Sequence, residues 1–148
     1  MATGTATIDL IAGLVALLSA RPGLATVQVA DAYPTSGLQN EAIWAEDAES
    51  DAEFPVMKAG TKKVDETVTT DWVIQVLMND GSDQITADRR AAEIFGEFQQ
   101  QLAESPQVVD AVMWAELASW RLRRGQLATG GHGSRYEIAL RHKARLSP

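Results

Sequence analysis

Apolar and polar positions along the chain change period several times, and each change marks an element. Ile8–Ala20 (IDLIAGLVALLSA) is the most apolar stretch and predicts a buried helix rich in small residues. Thr7 is its expected N-cap, and Asp9 places a carboxylate near the positive end of the helix dipole. Arg21-Pro22-Gly23 stops the helix, because proline cannot continue it. A helix of this length spans only about 20 Å, short of a hydrocarbon core of about 30 Å. Met1–Thr7 holds no lysine or arginine of the kind that opens a secretory leader. Neither a membrane span nor an exported leader is expected.

Period 2 follows. Thr26–Ala32 sets Val27 and Val29 against Gln28 and Ala30 and predicts a short strand, closed by the turn residues Tyr33-Pro34-Thr35-Ser36-Gly37. Glu41–Glu46 predicts a second short strand around Ile43 and Trp44. Asp47–Lys63 sustains no period and predicts a long loop. Val64–Met78 alternates through most of its length, with both faces turning apolar near Trp72, as in a central strand covered on two sides. Thr86 is the expected cap of a second helix, whose stripe Ala91, Ile94, Phe95, Phe98 and Leu102 lies opposite Arg90, Glu93, Glu97 and Gln101. That helix stops at Glu104 or Ser105, ahead of Pro106. Val108–Arg124 fits both periods, strand better in its second half. Arg135–Leu146 alternates again, so the two form a hairpin with a flexible tip at about Gly125–Ser134. The pattern predicts an α+β fold: a mostly antiparallel sheet packed against two main helices, with long loop or hairpin arms.

A chain of 148 residues suits a single domain over 1–148 and buries about two-thirds of its extended surface, enough for a real core. The absence of cysteine excludes disulfides, thiolate metal sites and thiol catalysis. His132 and His142 lie in a loop and a strand, with no metal-ligand spacing. The acids of Glu41–Glu53 lack the alternation and central glycine of a calcium loop. Ser134, in GHGSR, is not a nucleophile elbow, and no helix follows Gly130-Gly131-His132-Gly133 to bind a phosphate. No catalytic, cofactor or metal residue is assigned. Trp72, Trp114 and Trp120 read as core, whereas Trp44 borders the acidic stretch and is a candidate anchor for a partner.

Charge adds a division. The net −7 combines 19 acids and 6 bases before residue 119 with 7 bases and one acid after it. Glu46, Asp47, Glu49, Asp51 and Glu53 on one side, and Arg121, Arg123, Arg124 and Arg135 on the other, are candidate subunit-interface residues. The same division is satisfied equally by two regions that meet inside one molecule, or by two solvated faces. A basic ribbon also suits nucleic-acid phosphates, but an acidic chain without a DNA-binding motif argues against sequence-specific binding.

The order and size of these elements resemble the tail terminator (tail completion or minor tail) proteins of long-tailed bacteriophages. The resemblance rests on the helix ending Ala20-Arg21-Pro22-Gly23, the Val27–Tyr33 strand, the loop ending Ala59-Gly60-Thr61-Lys62-Lys63 and the strand Glu66–Met78. It continues through the helix Thr86–Glu104, the stretch Met113–Trp120 and the strand Tyr136–Leu146. It implies a non-enzymatic virion protein that forms a ring, expected to be a homohexamer, at the head-tail junction. There it would cap the tail tube protein, terminate tube growth, meet the head-tail connector protein and let DNA pass through its lumen. It would act in the host cytoplasm during assembly, with no membrane partner and no cofactor. Stopper and neck proteins of the head-tail connector have similar size and remain open alternatives, as does a small-ligand-binding α+β domain with a pocket beneath Asp47–Lys63.

Overall fold

The computed structural model describes residues 4–53 and 64–146. Its elements are α1 (Thr7–Ser19), a short 3-10 turn (Pro22–Leu24), β1 (Gln28–Ala30), β2 (Glu41–Glu53), β3 (Val64–Met78), α2 (Gln84–Glu104), β4 (Val112–Gln126) and β5 (His132–Leu146). The strands form one sheet in the order β1-β2-β3-β5-β4. β1 runs parallel to β2, and every other pairing is antiparallel. The fold is α+β, as the period changes predict.

Both helices pack on one face of the sheet. Leu10, Leu14 and Leu18 of α1 and Ile94, Phe95, Phe98 and Leu102 of α2 join Trp72, Ile74 and Val76 of β3 and Ile138, Leu140 and Ala144 of β5 in one core. A helix stripe at spacing 3 and 4 and a strand face at spacing 2 are the two patterns that allow this closure. Arg21, where α1 ends, donates to Glu97 and Gln101 and to Glu104, fastening α1 to the far end of α2.

Several boundaries differ from the sequence reading. α1 begins at Thr7, with Ala6 in the cap position and no side-chain cap bond from it. Its buried amide is satisfied instead from β3, where the Glu66 carboxylate accepts from the Ala6 N–H at 2.7 Å and from the Thr5 hydroxyl at 3.0 Å. α2 is capped by Asp83, which accepts from the Thr86 N–H at 3.1 Å and the Thr86 hydroxyl at 2.7 Å. β2 does not end at Glu46. It continues to Glu53, pairing Ala48 with Thr70 and Glu53 with Asp65 after a bulge, so the first part of the predicted 47–63 loop is strand. Ala48 and Ser50 alternate with Glu49, a period-2 pattern whose helix-side residues are too small to register as apolar. Residues 54–63 lie outside the described residues.

The hairpin tip also contracts. β4 and β5 pair from Val112↔Ala144 to Gln126↔His132. The turn is confined to the residues between them and closed by Leu127 N–H to the Gly131 carbonyl at 2.7 Å. Gly130 has a φ of 91°, and a Cβ on Gly131 would lie 2.2 Å from the Met78 carbonyl oxygen, so this turn demands both glycines. The whole ambiguous segment from Val112 onward is strand, because β5 offers a partner along its full length, which a helix could not use.

Candidate assembly surface

The face of the sheet away from the helices carries the charge. Odd-numbered positions of β3 and β5 point there, opposite the core positions Trp72, Ile74, Ile138 and Leu140. Cross-strand partners then fix the rest: Arg121 lies opposite Glu137, Arg123 opposite Arg135, Glu116 opposite Arg141 and Glu49 opposite Thr69. At the β1–β2 end this face is covered locally. A parallel neighbour requires the chain to reverse and cross over between them. The 31–40 segment makes that crossing, and it lays Leu38 and Tyr33 on Trp44, whose ring meets Tyr33 edge-on with centroids 5.3 Å apart.

Trp44 is therefore no surface anchor. It is 1% exposed, packed with Ala42 and Val73, and its indole N–H donates to Glu46 at 3.2 Å. The Arg135 guanidinium stands 5.7 Å from its ring centroid, a cation–π contact. Trp120, read as core, is instead 57% exposed at the margin of β4, resting its inner side on Phe95 and Tyr136. Trp114 is half-buried on the charged face, and only Trp72 among the three is fully buried.

The two charged regions meet partly inside the molecule. Arg135 pairs with Glu46 at 3.4 Å, Arg124 with Asp88 at 2.7 Å, Arg141 with Glu116 at 2.7 Å and Arg145 with Asp65 at 2.6 Å. Arg123 pairs with Glu137 at 2.5 Å, a hydrogen bond that holds the Glu137 carboxyl below its usual range. Among the described residues, Arg121 and Lys143 have no ion pair, nor do Asp47 and Glu49. Acid left uncompensated around the β2 bulge shows in Asp71, whose carboxyl is pushed up by burial and by Glu46, Asp47, Glu137 and Glu49. The structure thus brings Arg135 to Glu46 but leaves Arg121 and Glu49 at opposite margins of the sheet. Asp51 and Glu53 occupy strand positions 51 and 53 of β2.

Two buried groups escaped the sequence reading. His142 is 0% exposed, with Nε2 3.8 Å from Glu66 and no hydrogen-bond partner on either ring nitrogen. The signal was present: Glu66 and His142 are the charged or titratable exceptions in otherwise inward-facing series on β3 and β5. A cleft of about 730 Å³ is bordered by Thr26, Glu41 and Asn79. Both of its carboxylates are engaged: Glu41 accepts from Arg90 at 2.6 Å and from Thr26 at 2.8 Å, and Asp80 accepts from the Ser82 N–H at 3.0 Å. No described helix is long and apolar enough to cross a membrane.

At the level of sequence, neither a family model nor a curated protein matches the chain. In three dimensions the chain is similar to a solved chain described as the virion of a native gene transfer agent particle. The TM-score is 0.62 at 14% identity, covering 97% of this chain and 99% of that one. From α1 to β5, the likeness is one of overall fold.

Proposed function

We propose that this protein is a structural, non-enzymatic subunit of a phage-like virion, and within it a tail terminator: a ring, sixfold by expectation, that caps the tail tube. The observation that carries this reading is the end-to-end likeness to a chain of a gene transfer agent virion. The surface agrees with it. Many of the charged groups on the open sheet face are engaged in ion pairs with one another, which suits a body that contacts other proteins. A ring also needs two unlike surfaces that mate head to tail, since a heterologous contact whose rotation closes gives a ring.

Adding the purified protein to polymerising tail tube protein tests the proposal. Growth should stop, with extra density at one end of each tube in electron micrographs. Tubes of unchanged length with bare ends would overturn it, and binding to the connector without binding to tubes would favour a stopper.

A further inference from the structure

Among the described residues the sheet has two free margins, and they match each other. β4 pairs only with β5, so its outer edge has no partner strand among the described residues. Among the described residues β1 covers β2 only from Ala42 to Trp44, and the edge beyond Ala45 has no partner strand. Long, regular free edges are unusual, because a row of unpaired amides and carbonyls recruits other strands. Both bulges of β4 lie before Ser119, and Ser119–Gln126 then runs in unbroken register. The bulge of β2 likewise lies before Ala48, and positions 48–53 run regularly. Neither run contains proline, the usual guard of an edge.

Their side chains are complementary by face. On β4, Arg121 and Arg123 project to the charged face, while Trp120 and Leu122 share the helix side with Tyr136 and Ile138. On β2, Glu49 shares the charged face with Thr69, while Ala48 and Ser50 lie opposite the helix-side residues Thr70 and Val68. The β4 run holds three arginines and no acid; the β2 run holds three acids and no base. Strand direction agrees too. β2, β3, β5 and β4 alternate, so β4 is antiparallel to β2. A second copy set beside the first without inversion therefore presents its β2 antiparallel to this β4.

We infer that copies of this chain join by sheet extension, β4 residues 119–126 of one subunit pairing antiparallel with β2 residues 48–53 of the next. Antiparallel partners share a face. Placing Arg123 across from Glu49 therefore puts Arg121 across from position 51 and Leu122 across from Ser50. The exposed Trp120 then lies across from the small residue at position 52. Backbone bonds supply the adhesion, and the alternating charges set register and exclude the inverted pairing. The two edges differ, so the contact is heterologous and leaves a free copy of each edge at every step. This inference rests on the ring reading and specifies how such a ring is stitched.

The cysteine-free sequence makes the test clean. Ser50→Cys and Leu122→Cys are prepared as separate variants, with Ala48→Cys and Arg124→Cys as register neighbours. Under oxidation, a mixture of the Ser50→Cys and Leu122→Cys proteins should form a disulfide dimer, and neither should alone. Arg121→Glu with Arg123→Glu should weaken association about tenfold or more, with circular dichroism unchanged. Adding Glu49→Arg and Asp51→Arg to the same chain should restore it. Rings or tube caps that form without cross-linking at any of these pairs would overturn edge pairing and leave the ring reading standing. Dimers from either variant alone would replace the heterologous contact with a twofold one. Protein that stays monomeric when concentrated and also on tail tubes would overturn both.

Discussion

His142 shows what a single residue contributes to this fold. It is enclosed on β5 with neither ring nitrogen bonded, and the nearby Glu66 carboxylate also accepts the amide at the start of α1. Burial holds the imidazole below its ordinary pKa of 6.5, outweighing the attraction of Glu66, so it is neutral in the folded protein. For a group whose folded pKa is depressed, the stability it contributes is complete above the unfolded value and is lost as pH falls through the folded one. The protein should therefore lose stability as the pH drops below 6.5. His142→Leu should stay within about 1 kcal/mol of the parent at pH 7, because no hydrogen bond is lost. Its melting temperature should fall less steeply between neutral pH and pH 5. Parallel melting curves for the two proteins across that range would contradict the assignment.

Elements are held together by a few close approaches. Gly13 of α1 meets the turn after α2, where a Cβ would lie 2.3 Å from Cγ1 of Val109. The adjoining Val108 has a φ of 66°, a strained value for a β-branched residue, and packs against the same core. Gly13→Ala would gain about 1 kcal/mol of helix propensity but force this contact apart, at a typical cost of 1–3 kcal/mol. The contact is with backbone-anchored valine on a strained turn, so overpacking should win. Chemical denaturation should show a net loss of about 1 kcal/mol or more, and an unchanged midpoint would contradict it.

The element scale also shows where sequence reading succeeds and fails. β3 and α2 were legible because their buried faces carry large residues: Trp72, Ile74 and Val76, then Ile94, Phe95 and Phe98. The outer half of β2 was not legible. Its helix-side positions are Ala48 and Ser50, and only the partner β3 gives that alternation meaning. The caps failed for a related reason, since Glu66 reaches α1 from 60 residues away. Trp44 was misread because the segment that covers it, around Tyr33 and Leu38, carries turn residues with no periodic signal.

At the scale of the whole molecule, the division of charge has two outcomes. Much of it is spent inside the chain, through Arg135–Glu46, Arg124–Asp88 and Arg145–Asp65. Of what remains, Arg121 lies on the β4 side and Glu49 on the β2 side of one sheet. A protein that acts alone has little use for two open, oppositely charged sheet edges; a subunit of a closed assembly has a neighbour for each. The end-to-end likeness to a virion chain gives that arrangement a setting. The most direct measurement is electron microscopy of the purified protein, concentrated alone and bound to tail tubes, with class averages viewed along the axis. Our account predicts closed rings of six copies of the 16.0 kDa chain, about 96 kDa, with each subunit joined to the next by unlike edges. Strictly monomeric protein that ignores tail tubes would contradict it.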